Sequence, residues 1–122
     1  MVLTNQNIYT YALALNEAFA DETQKLPMKI NFYLQKNKNT LISLAQDIEM
    51  ARMEIIKTYG VISEDGNNYS MSPGKFSQAQ QEMSDLLSLE QDVQIYMIST
   101  EALTNDISLT TAQMEAMLFM IE

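Results

Sequence analysis

Apolar residues recur at intervals of three and four along most of this chain, the period of helices that bury one face. Ile8, Tyr11, Ala12, Leu15, Ala18 and Phe19 form such a stripe over about 5–20. Thr4 or Asn5 can cap it, because a side-chain oxygen there accepts a backbone N–H of the first turn. Asp21-Glu22-Thr23 reads as a loop, and Pro27 suits the entry to the next element. A second stripe, Leu34, Leu41, Leu44, Ile48, Ala51 and Ile55, predicts a helix from about 28 to 59, with Asn37 in the slot between the first two leucines. Asn37 either fixes the register of that face or points to solvent. Gly60 is a natural stop, since glycine enters the left-handed region without cost. Such a rod is about 45 Å long. One compact layer cannot cover it, so its partner is expected to be another long helix, a second subunit, or both.

Beyond the rod the period changes. Asp65-Gly66, between short β-prone runs in 61–71, predicts a hairpin or tight loop. Ser72-Pro73 reads as a cap followed by proline at the first helical position, and Phe76, Ala79, Met83, Leu86 and Leu87 mark a third helix over about 73–89. This helix can fold back antiparallel on the second. Val93, Ile95 and Met97 alternate with Gln94 and Tyr96, the pattern of a short strand. Its partner would be a segment near 26–28 or 61–63, or a strand of another molecule. Glu101–Asn105 reads as a short turn. Thr110 and Gln113 have capping-box spacing, with Leu109 and Met114 at staple positions. From Ala112 to Ile121 nearly every residue is apolar, which predicts a helix buried on all sides or completed by a partner.

Composition narrows the chemistry. The 122 residues make one domain, and 47% hydrophobic with 19% charged residues fits a folded chain. Without Cys, His or Trp, thiol and imidazole nucleophiles, Ser-His-Asp triads, N/S zinc sites and disulfides are all excluded. The formal net charge is -9, which disfavours nucleic acid and anionic membranes as partners. All seven basic residues lie in 1–75, whereas 76–122 hold eight acids and no base. Glu82, Asp85, Glu90 and Asp92 are the candidate acidic face, which is either plain solvated surface or a docking face for a basic partner. Lys25, Lys29, Lys36 and Lys38 form no dense stripe and read as surface solvation or contact with a neighbour's acidic tail. They show no aromatic–basic interleaving of the type used to stack nucleic-acid bases. Residues 1–20 carry no basic leader segment, and no apolar run approaches the ~18 residues of a membrane span.

Ten methionines stand out, three of them at 114, 117 and 120 on the last helix. Met114, Met117, Phe119 and Met120 are the candidate protein interface, the alternative being a methionine-filled core. Carboxylate pairs such as Glu82/Asp85 share one helix face rather than converging from different elements, as acid–base catalysis needs. Glu64–Asn68 lacks calcium-loop spacing, and no phosphate-cradling glycine loop is present. No catalytic, cofactor or metal residue is therefore named.

One resemblance adds to this reading. Leu26-Pro27-Met28-Lys29-Ile30 leads into Gln35-Lys36-Asn37 and ends at Ile56-Lys57-Thr58-Tyr59-Gly60. Asp65-Gly66-Asn67, Leu86-Leu87, Asp92-Val93-Gln94-Ile95, Ile107-Ser108-Leu109 and Phe119-Met120-Ile121-Glu122 follow in order. This order, over about 26–122, resembles a group of small phage and prophage proteins of uncharacterised function. The resemblance implies a phage origin, action in the bacterial host cytoplasm or the virion, and no enzymatic role. The expectation is a mainly α fold. It is built on an antiparallel helical hairpin with a small β element and a hydrophobic C-terminal helix. The expected function is a non-enzymatic interaction protein, a connector, tail or assembly component that binds a phage structural protein or itself as a homo-oligomer. The alternative is an acidic inhibitor of a host defence or nucleic-acid-binding enzyme.

Overall fold

A computed structural model describes residues 1–21, 23–62, 64–71, 73–104 and 107–122, and for Ile62 the backbone alone. The expected Ser72 cap and the Asn105 end of the predicted turn lie outside these residues. The fold is mainly α. Strand β1 (Val2–Thr4) enters helix α1 (Asn5–Ala18), and α2 (Met28–Tyr59) follows after a loop. A hairpin of β2 (Gly60–Ile62) and β3 (Tyr69–Met71) leads into α3 (Pro73–Ser88) and β4 (Glu90–Asp92). Helix α4 (Thr111–Met117) runs into a closing 3-10 turn, Leu118–Met120.

Helix α2 is the spine. Both α1 and α3 run antiparallel to it, α1 over its first half and α3 over its second. Two short helices placed end to end thus pack along the rod, instead of the one long helix expected as an intramolecular partner, and past Ile48 no residue of α2 is fully buried. The junction of the two short helices is Asn5. Its N–H donates to Leu89 O at 2.8 Å and its side-chain amide to Leu86 O at 2.9 Å, so the first residue of α1 closes the last turn of α3. Thr4 is the N-cap of α1, accepting from Asn7 N at 3.1 Å. The core runs along this seam through Ile8, Ala12, Leu15 and Phe19 of the α1 segment and Ile30, Leu34, Leu41 and Ile48 of α2. Each set keeps the three-and-four spacing of its helix.

Gly60 ends α2, but not by entering the left-handed region: its φ is -92° and ψ 158°. A Cβ at this position would lie 2.5 Å from Ile56 O, so the chain needs glycine here for close approach. Gly66 is the residue in left-handed conformation, with φ 76°, and it turns the β2–β3 hairpin. Asp65 Oδ1 accepts from Asn67 N at 3.1 Å across the same turn.

The strand near residue 93 departs from expectation. β4 is Glu90–Asp92, and its antiparallel partner is β1, pairing Val2 with Asp92 and Thr4 with Glu90. Neither the 26–28 nor the 61–63 region takes part. Residues 93–97 join no sheet, yet backbone groups at both ends and the middle of this stretch find partners. Val93 N donates to Met1 O and Ile98 N to Met120 O, each at 2.8 Å. Between them, Asn37 binds the backbone of Tyr96. The last helix is also shorter than expected and buries one side. Gln113, Ala116 and Met117 face inward, while Leu118 in the following turn is 62% exposed.

Candidate interaction surface

Three buried amides fix the joints of this scaffold. Asn37 is 0% exposed; its side-chain N–H2 donates to Tyr96 O at 2.9 Å and its Oδ1 accepts from Tyr96 N at 2.8 Å. The side chain thus pairs with a backbone residue as a neighbouring strand would, and pins 93–98 onto α2. Gln113 completes the capping box with Thr110 and also donates to Ala18 O at 2.9 Å. Its amide pairs reciprocally with that of Gln24, tying α4 to the end of α1. Asn5, besides its bonds to Leu86 of α3 and to Leu89 just beyond it, accepts from Gln91 at 2.7 Å.

Asn37 also sets up the most distinctive surface of the molecule. By holding Tyr96 against the first turns of α2, it places the ring beside Tyr33, with centroids 5.3 Å apart, and beside Phe32 at 6.5 Å. Lys29 Nζ lies 5.7 Å from the Tyr33 centroid and Lys36 Nζ 5.6 Å from that of Phe32, both within cation–π range. Met28 and Phe32, one turn apart, are 88% and 52% exposed. Phe32 and Tyr33, between these lysines, are not among the candidate site residues expected from the sequence. Lys29, Phe32, Tyr33 and Lys36 stand at helical spacings of three and four, a signal present in the sequence, while Tyr96 arrives only through the tertiary fold. Among the described residues, no lysine has a carboxylate within ion-pair distance.

The expected methionine interface is corrected in part. Met117 and Met120 are 0% exposed and belong to the core, so they are not available to a partner in this fold. Phe119 stacks on Tyr11 with centroids 4.6 Å apart and is half-buried, as is Met114. The reason lies in the neighbours: α1 and the 98–121 bridge close over a face that looks unpartnered when α4 is read alone.

The four acidic candidates are all exposed. Glu82 and Asp85 stand three apart on α3, and Glu90 and Asp92 share one side of β4. Glu82 accepts from the Tyr59 hydroxyl at 2.8 Å. That hydrogen bond is the main cause holding the Tyr59 hydroxyl above its usual range, with burial and the Glu82 charge adding to it. Asp85 accepts from Gln81 at 2.9 Å, and the Met1 amino group lies 3.1 Å from Asp92. Neither Glu82, Asp85 nor Glu90 has a cationic partner among the described residues. A shallow apolar groove of about 260 Å³ lies between α1 and α2, lined by Tyr9, Leu13, Ile42 and Ala45. At its rim Glu49 pairs with Arg52 through Oε1 at 2.9 Å, while its Oε2 is shielded and unpartnered.

Among the described residues, no three acidic groups converge to hold a metal ion, and no helix is long and apolar enough to cross a membrane. Compared with known proteins, the chain matches no family model, no curated protein and no solved structure.

Proposed function

We propose that this chain is a non-enzymatic, phage-encoded interaction protein, acting as a connector or tail component of the virion or as an assembly factor in the bacterial host cytoplasm. The observation that carries the interaction reading is the lysine–aromatic surface around Phe32. It combines exposed apolar area with two cations that have no carboxylate partner among the described residues. Such surfaces gain by docking, because aromatic rings bury large area on contact and nearby charges steer the encounter. The phage assignment rests on the ordered resemblance over 26–122. The absence of His and Cys from the sequence leaves few routes to catalysis, which supports the non-enzymatic part.

Mass spectrometry of purified virions and of assembly intermediates tests this reading. A virion component is present in the particle at fixed copy number, and an assembly factor in the intermediates alone. Absence from both overturns the proposal. A second reading, an acidic inhibitor of a host enzyme, draws on the exposed Glu82, Asp85 and Glu90, which have no cation partner among the described residues. Amide replacements at these residues would abolish inhibition of the enzyme if that reading holds.

A further inference from the structure

We infer that the lysine–aromatic surface of one copy binds the acidic α3–β4 face of a second copy; this deepens, and rests on, the reading of the chain as an interaction protein. Each surface offers what the other lacks. Lys29 and Lys36 flank the exposed Phe32 and have no carboxylate partner among the described residues. Asp85, on α3, and Glu90, in β4, lie four residues before and one after the exposed Leu89 in the chain, and neither has a cation partner among the described residues. Within one copy the two surfaces do not neutralise each other. On α3 and β4 the exposed Glu82, Asp85 and Glu90 have no cation partner among the described residues, so their charge is open to a neighbour's lysines.

The apolar parts match as well. Phe32 and Met28 are exposed on the same stretch of α2 as the two lysines, and Leu89, just past the end of α3, is exposed as well. A contact of Phe32 with Leu89 would therefore bring lysines and carboxylates together around an apolar centre, the arrangement of a desolvated middle with a polar rim. Because the two surfaces are different patches, the contact is heterologous, which closes into rings or extends as filaments. The net charge of -9 makes copies repel at a distance, yet at about 0.15 M salt this repulsion is screened beyond about 8 Å, leaving the facing patches to decide.

Sedimentation velocity of the purified full chain, at about 0.15 M and about 0.5 M salt, tests the contact. The wild type should sediment as species larger than the 13.9 kDa monomer at low salt and dissociate at high salt. Lys29→Glu with Lys36→Glu should be monomeric, and so should Asp85→Lys with Glu90→Lys. An equimolar mixture of the two variants should assemble again, since each supplies the charge the other needs. A monomeric wild type at low salt, a reversal variant that still assembles, or a mixture that stays monomeric would each overturn the inference. If circular dichroism shows that a reversal variant has unfolded, the neutral pairs K29Q/K36Q and D85N/E90Q replace it. Association of these should weaken at least tenfold, and unweakened association also overturns the contact. Monomeric protein that is nevertheless found in virions would remove self-association and leave the proposed function standing. Self-association without any virion or intermediate content would do the reverse.

Discussion

Asn37 shows how one side chain can organise a surface. Its amide satisfies both backbone groups of Tyr96, and its own burial is complete. Asn37→Ala would leave a shielded N–H and C=O without partners and open a small cavity. It should lower unfolding free energy by about 2–4 kcal/mol in urea titration. It should also release Tyr96 from Tyr33, visible as loss of near-ultraviolet circular dichroism. Unchanged stability would mean that the 93–98 segment is held by other contacts. The spacing of the second helix placed Asn37 in the buried row. Its partner lies 59 positions away and makes the bond through backbone atoms, so no local pattern could distinguish a buried Asn from a solvent-facing one.

The Tyr59–Glu82 bond gives a pH signature at the same scale. The hydroxyl is held above its ordinary value of 10.0 by the bond to Glu82. A raised folded value means the bond stabilises the protein fully below the unfolded value and ceases to do so as pH climbs through the folded one. In a tyrosinate absorbance titration one of the six tyrosines should ionise later than the rest. Glu82→Gln should return it to the ordinary range; superimposable titrations of the two proteins would contradict the bond.

At the scale of elements, the glycines separate two causes. Gly60→Ala forces a Cβ against Ile56 O and should cost about 1–3 kcal/mol, although the backbone there is in an ordinary extended region. Gly74 on α3 has open space around its Cβ position, and Gly74→Ala should add about 0.4–1 kcal/mol by restricting the unfolded chain. Opposite signs in thermal or urea unfolding check both. Helices were the legible elements: the predicted 28–59 helix is Met28–Tyr59, because period, entry proline and terminal glycine are all local signals. The Asp65-Gly66 turn was legible for the same reason. The β1–β4 pair was not, since it joins chain positions nearly ninety residues apart through strands too short to show alternation. The alternation seen at 93–97 had another cause. Val93 and Ile98 anchor an irregular segment that binds α2 and the C-terminal turn rather than a sheet.

At the scale of the whole molecule, the apolar C-terminal segment looked like a docking element because burial by α1 cannot be seen in the sequence of α4 alone. The structure spends Met117 and Met120 on the core, while Met28 and Phe32 at the start of α2 are among the exposed apolar residues. The proposed interaction surface therefore lies at Lys29, Phe32, Tyr33, Lys36 and Tyr96, with the acidic face on α3 and β4. Affinity capture of the tagged chain from phage-infected cells, beside the Lys29→Glu/Lys36→Glu variant and read by mass spectrometry, tests this most directly. The account predicts that the wild type recovers capsid, connector or tail proteins and that the variant recovers far less of them. Recovery of a single host nuclease or defence protein instead, equally by both, would contradict it and make the acidic face the functional one.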